Sequence, residues 1–139
     1  LEDVAGARVT FGGSAGAAPV EYRWNGSGWA RTQKGTPHVD VAGVQVAPAN
    51  VVIQFVSYAN SGVNDQFGNP IPEAQTVGEG DVWVLTGGGL SKPGLVQGRW
   101  HKTALDAVTT YTDADGNPIL FTPGRTWVAL PNPEGAVRL

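Results

Sequence analysis

The chain contains two histidines, His38 and His101, and the first stands two residues before Asp40. In an extended segment a His-x-Asp pair points to one face, so it can offer two metal ligands or a general base with its orienting carboxylate. A tight metal site needs a third ligand, for which His101, Asp65, Glu73 and Asp106 supply the right residue types. The favoured reading of the pair is structural: Asp40 and His38 satisfy backbone groups where the chain turns. Asp113-Ala114-Asp115-Gly116-Asn117 places oxygens at alternate positions, as a calcium loop does. Its glycine falls fourth rather than sixth, however, and Gly124 stands where the twelfth-position carboxylate belongs. A hairpin turn between Tyr111 and Ile119 explains that Asp-Gly step better. Asp40, Asp65, Glu73 and Asp81 could supply paired carboxylates for glycoside hydrolysis, but no spacing singles out two of them.

Other chemistries lack their residues. Cysteine is absent, which excludes disulfides, thiolate zinc sites and cysteine nucleophiles. Ser14, Ser27, Ser57, Ser61 and Ser91 sit in no nucleophile-elbow pattern, and Gly87-Gly88-Gly89 lacks the Lys-Ser/Thr of a phosphate-binding loop. A net charge of −3 with three lysines leaves no basic stripe for a nucleic-acid backbone. No apolar run approaches the roughly 20 residues that a bilayer requires, so no spanning helix is expected. Neither a metal nor a cofactor is expected.

These groups must be held by strands. The 139 residues, 41% hydrophobic and 15% charged, suit a single domain over 1–139 that needs no metal or disulfide to fold. Eighteen valines and five tryptophans argue against disorder, and 20 glycines with 10 prolines, scattered without period, imply many turns. Helical periodicity is nearly missing, while β-branched and aromatic runs bounded by Gly, Pro, Asn and Asp recur. The expected fold is therefore all-β: a single antiparallel β-sandwich or barrel-like domain with long loops and at most one short helix, near Thr103–Val108.

Particular elements follow. Arg8–Phe11 reads as a first strand before a loop over Gly12–Ala18. Val20–Trp24 and Trp29–Thr32 form a hairpin around Asn25-Gly26-Ser27-Gly28; with four loop residues, Trp24 faces Trp29 and Tyr22 faces Arg31 in a cation–π contact. Val51–Tyr58 is apolar on both parities and is expected to be the central strand. Ala59–Gly80 reads as a long loop, the first place to look for a site. Asp81–Thr86 and Leu95–Lys102 are strands, the latter with Val96 and Trp100 inward and Gln97, Arg99 and His101 outward. Thr109–Thr112, Ile119–Thr122 and Thr126–Leu130 complete a final meander. Val51, Ile53, Phe55, Val84, Trp100, Trp127 and Val128 are expected in the core, and the tryptophans fit core positions better than a ligand groove.

The segment Tyr22 to Asp40, ending Pro37-His38-Val39-Asp40, together with Asn50-Val51-Val52-Ile53-Gln54, resembles the C-terminal domain of the YerB-like lipoproteins, a bacterial cell-envelope family of unknown function. Val77-Gly78-Glu79-Gly80, Gly98-Arg99-Trp100-His101-Lys102, Asp115-Gly116-Asn117-Pro118-Ile119 and Pro123–Val128 are similar as well, so the resemblance covers about residues 20–131. It implies an extracytoplasmic envelope protein, usually lipid-anchored, with a larger domain preceding this one. It implies no reaction and no catalytic residues.

The expected function is thus a non-catalytic envelope module that binds a cell-wall component or a partner protein. Its candidate binding residues are Tyr22, Arg31, His38, Asp40, Asp65, Arg99 and His101. The alternative is a hydrolase or metal-dependent enzyme built around His38 and Asp40.

Overall fold

The computed structural model describes residues 1–11, 18–87 and 92–139. Most of the Gly12–Ala18 loop and Gly88, Gly89 and Ser91 lie outside the described residues. Among the described residues there are twelve strands and no helix. The Thr103–Val108 stretch makes one hydrogen-bonded turn, Ala107 N–H to the Ala104 carbonyl at 3.1 Å, rather than a helical one.

One sheet contains β1 (Gly6–Val9), β2 (Val20–Trp24), β3 (Trp29–Gln33), β4 (Thr36–Pro37) and β12 (Ala136–Arg138), in the order β12-β1-β2-β3-β4. The other contains β5 (Asn50–Gln54), β8 (Gly78–Thr86), β9 (Gly94–Lys102), β10 (Thr110–Asp113) and β11 (Thr126–Ala129), in the order β10-β9-β8-β5-β11. The two sheets form a sandwich that is not closed into a barrel. The Asn25–Gly28 hairpin has the expected register, Trp24 opposite Trp29 and Tyr22 opposite Arg31. Asn25 Oδ1 closes its loop by accepting the Ser27 and Gly28 N–H groups at 3.0 and 2.9 Å.

Alternation along the strands sorts the apolar side chains onto two faces. Ala7, Val9, Val20, Tyr22 and Trp29 from the first sheet pack with Val51, Ile53, Phe55, Leu85 and Leu95 from the second, forming the core between the sheets. Val52, Val56, Val82, Val84 and Trp100 lie on the far side of the second sheet, where Ile119 and Leu130 pack over them. A strand buried on both faces must be apolar at both parities, which is why Val51 to Val56 is apolar at every position but Gln54.

Several expectations are corrected. β8, not the strand at 51–58, lies at the centre of its sheet; β5 stops at Gln54, and Tyr58 belongs to another element. The 59–80 region is no loop: β6 (Tyr58–Asn64) and β7 (Pro70–Ala74) pair as a separate hairpin before β8 begins. Asp65 makes its tip, its Oδ1 accepting the Phe67 and Asn69 N–H groups at 2.8 and 2.9 Å. Ile119–Thr122 forms no strand; only Pro118 bridges back to Thr112. The final meander is also absent, because β11 crosses to the opposite edge and runs parallel to β5. That placement leaves Val128 half exposed, outside the core, while Trp127 and Ala129 face inward. The remaining residues expected in the core are buried, apart from the partly buried Trp127.

A polar network holds the crossover. Asn50, fully buried, accepts from Thr86 Oγ1 at 2.8 Å and from the Thr122 N–H at 2.9 Å, and its amide donates to the Thr122 carbonyl at 2.8 Å. A parallel edge strand cannot be joined to its neighbour by a tight turn, so the long connection is pinned by these side-chain bonds instead.

Candidate functional site

Arg31 projects from β3 into the space between the sheets, at the edge where β11 faces the segment after β4. Only 7% of the residue is exposed. Its Nε donates to the Tyr22 hydroxyl at 3.3 Å and its Nη1 to His38 Nδ1 at 2.7 Å. Arginine has no lone pair to offer, so His38 Nδ1 must be the acceptor and the ring proton sits on Nε2. The guanidinium carbon also lies 4.8 Å from the Trp127 ring centre and 5.8 Å from that of Tyr22, while the His38 ring meets Trp127 edge-on at 5.8 Å. Burial raises the Tyr22 phenol above its ordinary value, opposed by the Arg31 hydrogen bond and charge.

A groove of about 850 Å³ adjoins this cluster. The 44–48 segment lines one side, Arg125, Thr126 and Trp127 the other, with Asn25, Ser27 and Asp40 completing it. Two of its residues bond to the Arg31 main chain and a third, Trp127, meets the guanidinium. The Val46 carbonyl accepts the Arg31 N–H at 2.9 Å, the Gln45 amide donates to the Arg31 carbonyl at 2.9 Å, and Trp127 stacks on the guanidinium.

His38 and Asp40 do not form a dyad. The Asp40 carboxylate turns back on its own loop, its Oδ1 accepting the Ala42 and Val44 N–H groups at 2.9 and 3.0 Å, and the Asp40 N–H donates to the Val44 carbonyl. His101 lies on the other sheet, with Nδ1 3.3 Å from Glu79 and Nε2 3.4 Å from Thr112 Oγ1, and among the described residues shares no partner with His38. Asp113 behaves like Asp40 and Asp65, its Oδ1 taking the N–H groups of Asp115 and Asn117 to close the hairpin turn. Among the described residues no three His, Asp or Glu side chains converge on a point.

Arg99 and His101 form a second cluster with two acids. Antiparallel register sets Glu79 opposite His101 and Asp81 opposite Arg99, giving an Arg99–Asp81 contact of 2.7 Å and an Arg99–Glu79 contact of 3.6 Å. These hydrogen bonds raise the Arg99 value further. The ladder is exposed, and such pairs contribute about 0–1 kcal/mol each. Arg99, Glu79 and Asp81 line a second hollow of about 750 Å³ with Trp83. The seven candidate residues therefore separate into three places: Asp40 on the groove wall with Tyr22, Arg31 and His38 clustered behind it against Trp127, Arg99 and His101 on β9, and Asp65 alone at the hairpin tip.

Gln45, Arg125 and Trp127 were not among the candidates. For Trp127 no local signal separates core from groove; only β11 crossing to the sheet edge brings it there. Glu79 and Asp81 did carry a signal, since two acids two apart precede Arg99 and His101, also two apart, although Glu79 fell within the stretch read as a loop.

Residues 7–128 match the family described as "Protein of unknown function (DUF3048) C-terminal domain". The chain belongs to that DUF3048 C-terminal domain family. The DUF3048 domain also superposes on the crystal structure of the YerB protein from Bacillus subtilis with a TM-score of 0.77 at 21% identity, covering 99% of this chain and 44% of that one. At that identity the likeness concerns the fold, and the chain spans less than half the length of YerB. No curated protein matches the chain. No helix among the described residues of the DUF3048 domain is long and apolar enough to cross a membrane.

Proposed function

We propose that this DUF3048 domain is a non-catalytic binding module of a larger extracytoplasmic envelope protein. In this reading it is lipid-anchored through a segment outside the chain and binds a cell-wall component or a partner protein. One observation carries the choice of module over enzyme: the His38 ring is held by the Arg31 guanidinium at 2.7 Å, while the Asp40 carboxylate is engaged by its own turn. A general base needs its lone pair free for substrate and its orienter in contact, and both conditions are opposed here. The groove beside Trp127, lined by the 44–48 segment and by Asn25, Ser27, Arg125 and Asp40, supports binding. The envelope placement rests on the resemblance to YerB-like proteins.

Co-sedimentation with purified cell-wall sacculi tests the reading. Retention above an unrelated β-domain, without release of soluble fragments, is the expected result. Fragment release that His38→Ala and Asp40→Asn both abolish would overturn it in favour of the hydrolase.

A further inference from the structure

We infer that Arg31 is the receptor for an anionic oxygen group, a carboxylate or a phosphate, that enters along the groove between the 44–48 segment and β11. The inference deepens the binding-module reading and rests on it for its biological meaning. A cation this far removed from water is stable only if it is paired or richly hydrogen-bonded. Arg31 is 7% exposed, yet each of its side-chain partners is neutral: the Tyr22 hydroxyl, the His38 ring nitrogen and two aromatic faces. Among the described residues no carboxylate pairs with it, although the chain as a whole is acidic.

The donor inventory points the same way. A guanidinium has five N–H groups, of which Tyr22 and His38 take one each, leaving one on Nη1 and two on Nη2. Among the described residues the buried side-chain atoms without a partner are Trp29 Nε1 and Asn132 Oδ1, so Arg31 Nη2, which bonds to none of these residues, is not completely sealed from solvent. The end-on edge of the fork, Nη1 with Nη2, is the face that binds carboxylate or phosphate oxygens in pairs. Arg125, exposed on the groove wall and free of any ion pair among the described residues, adds a second positive charge. Asp40 also lines the groove, but its Oδ1 is already engaged by two N–H groups. His38 and Tyr22, in turn, fix the plane of the fork before any ligand arrives, which reduces the ordering that binding requires.

The test is an NMR titration of the 139-residue chain with sodium succinate, sodium phosphate and, at equal ionic strength, sodium chloride. The signals read are the Arg31 Nε–H and the Trp127 indole N–H. Saturable shifts of both with succinate or phosphate, and none with chloride, are expected. The anion that saturates at lower concentration identifies the group. Arg31→Lys keeps the charge and loses the fork, so its binding should weaken at least about tenfold. Arg125→Gln on the exposed wall, where the fold is not at stake, should weaken binding in the same sense. Shifts that never saturate in the wild-type chain overturn the inference, as does saturable binding that a folded Arg31→Lys variant retains. Anion binding without retention on sacculi would refute the cell-wall reading and leave the receptor standing; retention that survives Arg31→Lys would do the reverse.

Discussion

Replacing Asn50 by alanine isolates what holds the parallel edge strand in place. Four side-chain bonds disappear: two accepted, from Thr86 Oγ1 and the Thr122 N–H, and two donated, to the Thr122 carbonyl at 2.8 Å and to Thr126 Oγ1 at 3.3 Å. They do not count equally. The Thr122 N–H has Thr86 Oγ1 as a second acceptor at 3.3 Å, and the two threonine hydroxyls lie 2.9 Å apart and can stay paired. The loss is therefore concentrated on the bond to the Thr122 carbonyl and on the space the amide vacates. With about 1–3 kcal/mol for a buried polar group losing its partner, the variant should be about 2–3 kcal/mol less stable. For 139 residues that is a fall of about 6–15 °C in Tm. Urea melts followed by tryptophan fluorescence at neutral pH measure it. Asn50→Asp keeps the volume but sets a carboxylate oxygen against the Thr122 carbonyl, so it should destabilise at least as much. An Asn50→Ala loss below about 0.5 kcal/mol, the range of a surface substitution, would refute the account of the crossover.

Three further outcomes are expected. Ile53→Ala, fully buried between the sheets, should cost about 2–5 kcal/mol. Val128→Ala, half exposed, should stay within about 0.5 kcal/mol; equal losses in urea melts would mean that β11 is oriented the other way. Asp65 is held below its ordinary value of 3.8 chiefly by the Asn69 N–H, with Phe67 assisting. A carboxylate lowered on folding stabilises above its unfolded value and loses that contribution as pH falls through the folded one. The Phe67 and Asn69 amide signals should therefore shift together on acidification below about pH 4, and Asp65→Asn should abolish that shared titration. Tyr22 has the opposite sign: burial raises it above 10, so its protonated form stabilises below pH 10 and that stability is lost as pH rises further. Tyr22→Phe should flatten the alkaline decline of Tm; an unchanged slope would show that another group causes it.

How much could be read without coordinates depended on the range of the interaction involved. The Asn25–Gly28 hairpin and the Tyr22–Arg31 pairing were legible because a four-residue loop sets register through neighbouring residues alone. The two-faced burial of Val51 to Val56 was legible for a similar reason, since a strand covered on both sides has to be apolar at both parities. The 59–80 hairpin was missed because Gly, Asn and Pro dominate it and no apolar alternation marks β6 or β7. His38 and Asp40 looked like a pair because they are close in sequence, but their partners are Arg31 and the Asp40 turn respectively.

The amino-acid sequence by itself determined the all-β class, the individual strands with strong alternation, and the turns closed by Asn25 and Asp113. Each of these depends on side-chain period or on an oxygen reaching a backbone N–H a few residues away. Tertiary structure alone decided that β11 crosses the sheet to pair with β5, that Asn50 meets Thr122 from 72 residues away, and that Trp127 comes to lie against Arg31. Those contacts depend on which sheet edge the chain reaches, a choice made by the summed burial of the whole core rather than by any local run. The candidate groove is created by that choice.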